Sequence, residues 1–197
     1  MFVITPCAAG CGKPAITGSA LCASHLVNPR QEGQRIVDYI LQQKAVKDLN
    51  AQGLRFADID FSNRHFYSSS FSGAVFRNCN FSSCHMKVIF FDFTNFISCN
   101  FSNVDLRYVS FAGSQITGCS FSGSEIVDTN FCGSDILDSN FDNNDLYNSR
   151  FIDSNMKKTS FNNCNLKMTN FYKYRQSDVI FKSSNTAEAI FDMEGPG

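Results

Sequence analysis

The stretch FADIDFSNRHFYSSSF, Phe56 to Phe71, places an aromatic ring at every fifth residue. Outward from it the spacing holds without insertion or deletion. It continues through Phe76, Phe81, Met86, Phe91, Phe96, Phe101, Leu106, Phe111 and Ile116, then Phe121, Ile126, Phe131, Ile136, Phe141 and Leu146. Phe151, Met156, Phe161, Leu166 and Phe171 complete 24 consecutive apolar hits. A period of five fits neither an amphipathic helix nor an alternating strand. Fixed self-similarity of this kind is the signature of a stacked solenoid, in which each repeat buries its apolar residue only against its neighbours.

Sorting the central positions by 20 tests how many repeats make one coil. One column is Phe61, Phe81, Phe101, Phe121, Phe141, Phe161 and Phe181, and another is Phe71, Phe91, Phe111, Phe131, Phe151, Phe171 and Phe191. The two columns between them drift from Phe to Ile, Leu and Met, as a narrow core of fixed cross-section demands. The phenylalanine columns carry the register to Phe191, although Gln176 and Thr186 miss it. About seven coils at strand spacing predict a rod of about 34 Å.

The repeats CNFSN (Cys99–Asn103), SDILD (Ser134–Asp138) and CNLKM (Cys164–Met168) resemble the motif of the pentapeptide-repeat family: a small residue, Asn or Asp, Leu or Phe, then two polar residues. The resemblance covers about 70% of the chain. It implies an all-β solenoid, a right-handed quadrilateral β-helix with one pentapeptide per side. In such a coil the central residue and the small residue two before it point inward. Cys79, Cys99 and Cys119 then fall in one inward column and Cys84 and Cys164 in another, as small apolar filler, leaving Cys132 facing outward.

Ahead of the repeats, Cys7-x3-Cys11-x10-Cys22-x2-His25 sets three thiols and an imidazole in two close pairs. That donor set and spacing point to a closed, tetrahedral, structural Zn2+ site with no open position for a catalytic water. The segment resembles small zinc-ribbon or treble-clef fingers, with an x3 rather than x2 spacing in its first pair. Asn28-Pro29 marks a break and a helix start. Ile36, Val37, Ile40, Leu41, Ala45 and Leu49 then form one helical stripe from about Arg30 to Asn50, expected to cap the open end of the solenoid. The expected organisation is a zinc-binding module (1–28), a capping helix (29–53), the β-helix (54–192) and a short tail (193–197).

Composition narrows the function classes. A net charge of −1 gives no global reason to expect direct nucleic-acid binding or an anionic membrane surface. No stretch approaches the run of about 18 apolar residues that a membrane span needs. The first residues lack a basic region followed by an apolar one, so the reading is a cytoplasmic protein without a secretory signal. Nine cysteines, most of them assigned to metal or core, do not form a disulfide framework.

With the core residues assigned, function falls to the exterior. The side carrying Ser62, Ser82, Ser102 and Asn103 is small and nearly uncharged. The side centred on Leu106 and Leu146 offers Tyr67, Arg107, Tyr108, Val127 and Tyr147 beside Asp105, Glu125 and Asp145, a mixture suited to a protein partner. His65, His85 and Asp105 lie 20 apart and form a ladder that either binds a metal or substitutes harmlessly for the motif's Asn and Asp. Residues 105–149 are mainly acidic and 150–182 mainly basic, a gradient that either orients a partner or only solvates the surface.

The leading expectation is a non-enzymatic interaction module presenting this face. The family resemblance supplies two others. One is DNA mimicry against a type II topoisomerase such as DNA gyrase, as in quinolone-resistance proteins, which are more acidic than this chain. The other is export as a host-directed effector. The last coil, with Ile190 and Phe191 beside an unpaired edge, suggests a homodimer through the C-terminal end.

Overall fold

The computed structural model describes residues 4–191, so the expected tail at 193–197 lies outside the described residues. From residue 44 onward the chain winds as a parallel, four-sided β-solenoid of about seven coils. One side is a sheet of β1 (Ala45–Lys47), β3 (His65–Ser70), β5 (His85–Phe90), β7 (Asp105–Arg107) and β9 (Glu125–Val127). The opposite side runs β2 (Arg55–Ala57), β4 (Val75–Arg77), β6 (Asn95–Ile97), β8 (Gln115–Thr117), β10 (Asp135–Leu137), β11 (Asn155–Lys157) and β12 (Arg175–Ser177). Every pair is parallel and in register by 20, as in Phe56↔Phe76 and Leu106↔Ile126. The two remaining sides are held by single bridges, such as Asn80↔Asn100 and Ser110↔Asn130.

The two phenylalanine columns form stacks of nearly parallel rings. Centroid separations are 4.8 Å for Phe101–Phe121 and 4.9 Å for Phe111–Phe131, with the rings within a few degrees of parallel. The columns meet edge to face, Phe121–Phe131 at 6.0 Å and 85°. Both geometries suit the ring quadrupole, so every ring gains attraction from above, below and across. Phe56, Phe76 and Phe96 begin a third stack that gives way to Ile116.

The small inward residues do more than fill space. Ser114 Oγ donates to the Phe91 carbonyl at 2.6 Å, Thr94 Oγ1 to Phe71 at 3.0 Å and Cys84 Sγ to Phe61 at 3.1 Å. Hydroxyls also accept amides from the preceding coil, as Ser139 Oγ does from Cys119 N at 3.2 Å. Backbone groups at the coil corners are therefore satisfied from inside the core. Burial pushes the thiols of Cys84 and Cys164 up to about 11, which keeps them protonated and unreactive.

The N-terminal end departs from the expected boundaries. Helix α1 spans Pro29–Gln42, with Asn28 Oδ1 accepting the Gln31 amide at 3.1 Å. It does not continue to Asn50: Ala45–Lys47 is already the first strand of the solenoid, paired with His65–Tyr67. Val46 and Ala51 are fully buried and extend the run of fives backwards by two repeats. Leu41 is 40% exposed rather than part of the buried stripe. Ile36, Val37 and Ile40 do cover the first coil, packed with Val46, Leu49, Leu54 and Phe56. At the other end Phe181 and Phe191 continue their stacks, half-buried, and a short 3-10 turn at Thr186–Glu188 replaces a strand.

The residue two after each centre takes a left-handed conformation at most corners, as at Asn63 (φ 59°), Asn103 (φ 58°) and Gly123 (φ 71°). Asn, Asp and Gly tolerate this backbone. Val88 adopts it too, with φ 58°, against the preference of a β-branched side chain. Val88→Asn is expected to stabilise the rod by about 1 kcal/mol, read as a higher denaturant midpoint. An unchanged or lower midpoint would show that packing of the valine outweighs its backbone strain.

Candidate metal centre and docking face

Two hairpin-like turns bring the N-terminal donors together. Pro6 and Pro14 bridge in antiparallel fashion, and a 3-10 turn at Ala23–His25 swings the imidazole back towards the thiols. Gly10 and Gly12, at φ 71° and 73°, turn the backbone around Cys11. Cys7 Sγ lies 3.5 Å from His25 Nδ1, Cys22 Sγ 3.4 Å from the same nitrogen, and Cys11 Sγ 3.6 Å from Cys22 Sγ. All four ligand atoms fall within 4.8 Å of one another.

These separations distinguish a metal site from a disulfide. Bonded sulfurs would be about 2.05 Å apart. A tetrahedral ion with metal–sulfur bonds of about 2.3 Å and metal–nitrogen bonds of about 2.0–2.1 Å needs edges of roughly 3.8 Å and 3.6 Å. The three short edges, Cys7–His25, Cys22–His25 and Cys11–Cys22, come close to that tetrahedron, and all the others lie within 4.8 Å. The Cys22 amide also donates to Cys7 Sγ at 3.3 Å. That bond is the main reason the Cys7 thiol titrates near 6, well below its ordinary value. His25 is shifted upward, chiefly by its hydrogen bond to Cys7. The four residues can thus hold a metal ion, and binding displaces protons from them.

The face expected to meet a partner lies on the first sheet. Asp105, Arg107 and Glu125 form one network: Arg107 Nε is 2.9 Å from Asp105 Oδ1 and Arg107 Nη2 is 2.6 Å from Glu125 Oε2. His85 Nδ1 approaches Asp105 Oδ2 at 3.4 Å, and the His65 and His85 rings stack at 4.7 Å. Tyr67 joins through its hydroxyl, 3.3 Å from His65 Nδ1, with Lys47 Nζ 5.8 Å over its ring. Val127 continues the row beside Arg107, and Asp145 bridges back to Glu125. Tyr108 is 57% exposed at a left-handed corner, and Tyr147 stands half-exposed further along. The sequence pattern missed Lys47, because it assigned that residue to the helix.

His65, His85 and Asp105 stack but do not converge. Among the described residues, the N-terminal quartet is the one group of three or more such side chains able to share an ion. Burial, then the adjacent His85 and Lys44 charges, hold His65 below the usual histidine range.

Comparison with known proteins places the coil. A model of pentapeptide repeats, in eight copies, matches residues 50–87. Residues 50–87 carry pentapeptide repeats. A model of the SV2A/B/C luminal domain matches residues 89–161, and the same coil passes unbroken through both intervals. Among solved structures, a trypsin-treated variant of QnrB1, a plasmid-mediated fluoroquinolone resistance protein, is 13% identical with a TM-score of 0.36. It covers 76% of this chain and 91% of its own. HetL, involved in heterocyst differentiation regulation in the cyanobacterium Nostoc, is 9% identical with a TM-score of 0.26, covering 84% and 98%. Rfr23, from the cyanobacterium Cyanothece, is 12% identical with a TM-score of 0.27, covering 76% and 99%. Similarities at this level carry nothing about function. No curated protein matches the chain. No helix among the described residues is long and apolar enough to cross a membrane.

Two measurements check the site. Native mass spectrometry is expected to find one metal ion per chain, lost on Cys22→Ser and weakened as pH falls through the Cys7 titration near 6; an intact apo mass at neutral pH would refute it. By NMR, His65 is expected to titrate below about 6.5 and to move upward in His85→Asn, which removes a neighbouring charge. Because the folded value is depressed, the contribution from His65 is lost as pH drops below about 6.5 towards that value.

Proposed function

We propose that this pentapeptide-repeat rod is a non-enzymatic docking module that binds a protein partner through the sheet bearing Tyr67, Arg107, Tyr108, Val127 and Tyr147. The exposure of Tyr108 carries this reading. A large aromatic group held outward on a rigid corner loses little entropy on binding and buries much area. Val88, strained and one coil away in the same corner column, adds a second irregular residue to the same patch. Asp105, Glu125 and Asp145 give that patch an acidic rim, and the Arg107 network holds part of it rigid.

The N-terminal ion is proposed to be structural Zn2+. Three thiolates and one imidazole fill a tetrahedral shell, leaving no position for a reacting water. Its role is to fix the segment that precedes α1. The exposed Ile180 and Ile190 on the last coil support a weaker proposal, a homodimer through the C-terminal end. Light scattering across a concentration series tests it, and a strictly monomeric mass rejects it.

The docking reading is tested by cross-linking mass spectrometry in the native cell. Wild type is expected to cross-link one partner through residues 67–147 of the first sheet, and Tyr108→Ser with Tyr147→Ser to lose at least tenfold of it. Retained cross-linking in the double variant would reject this face. Lys47, Lys87 and Arg107 form a basic column beside the acidic one on the same sheet, which disfavours DNA mimicry. Purified DNA gyrase is expected to supercoil normally in excess protein, and inhibition would favour the mimic instead.

A further inference from the structure

The side of the rod opposite the tyrosine face carries a second feature. The first turns of α1 lie across the edge of the second sheet, and between them runs a groove of about 740 Å³. Gly33 sets how closely the helix approaches, since a Cβ there would stand 3.3 Å from the Arg55 carbonyl. Three arginines line the groove: Arg30 from the helix, Arg55 from β2 and Arg77 from β4. All three are exposed. Among the described residues none of them has an ion pair or a side-chain hydrogen bond. The other arginines before residue 110 are all engaged: Arg35 with Glu32, Arg64 with the Gln43 carbonyl, and Arg107 with two carboxylates.

The lining holds a single carboxylate, Asp58, whose Oδ1 accepts from Asn78 Nδ2 at 3.0 Å. Three guanidiniums against one carboxylate leave the groove with a surplus of positive charge. Between the arginines the floor is apolar, with Val37, Ile59 and Val75. The register decides whether the charges converge. Arg55 stands opposite Val75, and Arg77 opposite Ala57. The two arginines are therefore one strand apart and two residues offset, with Cα atoms about 7–8 Å apart. Such a spread is wide for one phosphate and close to the repeat of about 6.8 Å between same-side residues of an extended chain. In addition β2 is the terminal strand of its sheet, paired only with β4.

We propose that this groove binds an extended acidic segment of a partner protein, its carboxylates meeting Arg30, Arg55 and Arg77 and its alternate aliphatic residues resting on Val37, Ile59 and Val75. The guanidinium fork suits carboxylates, and charge-assisted bonds of this kind are the strong ones. This site is independent of the tyrosine face.

The test is fluorescence anisotropy on the metal-loaded, full-length chain with a fluorescein-labelled decapeptide alternating Glu and Val. The controls are its Gln-for-Glu counterpart, a single-stranded oligonucleotide of ten nucleotides, and inorganic phosphate as competitor. Saturable binding of the Glu peptide is expected, at least tenfold tighter than the Gln peptide and weakening with salt. Arg55→Ala and Arg77→Ala are each expected to lose about tenfold, with Arg55→Lys retaining part of the affinity. Tyr108→Ser should bind as wild type does. Each variant is compared at an unchanged circular dichroism spectrum and melting midpoint, so that loss of fold is not read as loss of binding. The proposal is overturned if the Glu peptide does not saturate, or if the arginine variants bind it normally. It is also overturned if the oligonucleotide binds more tightly through the same arginines, or if millimolar phosphate alone displaces the peptide completely.

Discussion

Each coil is tied to the next by amides donating along the rod axis, and that bond fixes the spacing of everything else. The Phe101 amide donates to the Ser120 carbonyl at 2.6 Å, Phe121 to Asn140 at 2.7 Å and Phe141 to Ser160 at 2.8 Å. A ladder of this kind sets successive strands about 4.8 Å apart. The ring stacks, at 4.6–5.0 Å between Phe101 and Phe161, have that same spacing. Backbone and core therefore impose one repeat, and neither can shift without the other. Aromatic rings stack at this spacing in two columns, and Ile, Leu and Met fill most of the other two at the same repeat.

The same constraint acts on the exterior. In an in-register parallel stack every side chain faces the residue 20 positions away, so a column of like charges repels along its whole length. The first sheet relieves this in part by alternation, although Lys87 and Arg107 do stand side by side. Lys47, Tyr67 and Lys87 follow one another, with the aromatic ring between the cations. Where Asp105 and Glu125 do stack, Arg107 forms an ion pair with each. Asp145, next in that column, accepts from Asn165 Nδ2 at 2.9 Å. Binding surfaces on such a rod are consequently longitudinal strips, and their chemistry is read along columns rather than along the chain.

This explains what was legible in the sequence. The period of five and its sorting by 20 revealed the core to the residue, from Phe56 to Phe191, because every repeat is subject to the same packing. The metal quartet was legible for a different reason, since local spacing alone brings the two donor pairs together. Val46 and Ala51 were hidden because Ala45 and Leu49, four residues apart, fit a helical stripe as well as a coil. The arginine groove was hidden more deeply. Arg30, Arg55 and Arg77 come from a helix and two strands, at spacings of 25 and 22 that belong to no repeat. Only the approach of α1 to the sheet edge at Gly33 makes them neighbours.

That approach in turn depends on the N-terminal segment that carries the Cys and His quartet. His25, the last donor, precedes the helix cap Asn28 by three residues and Arg30 by five, a tether whose fully extended reach is about 18 Å at most. The module is also tied directly to the solenoid. The Thr17 amide donates to the Asn50 carbonyl at 2.9 Å, Asn50 Nδ2 donates to the Ala15 carbonyl at 2.6 Å, and Arg35 bonds to the Thr17 carbonyl. Ala23 Cβ lies so near Gly53 that any side chain at that position would meet it at 3.1 Å. A folded module thus anchors the start of α1 from two directions, through the chain and through the first coil. Helix α1 has only 14 residues and would be marginal alone, so its placement derives from these contacts. An ion held by the Cys and His quartet at one end of the rod would, through these contacts, help keep Arg30 and the helix wall of the groove in position.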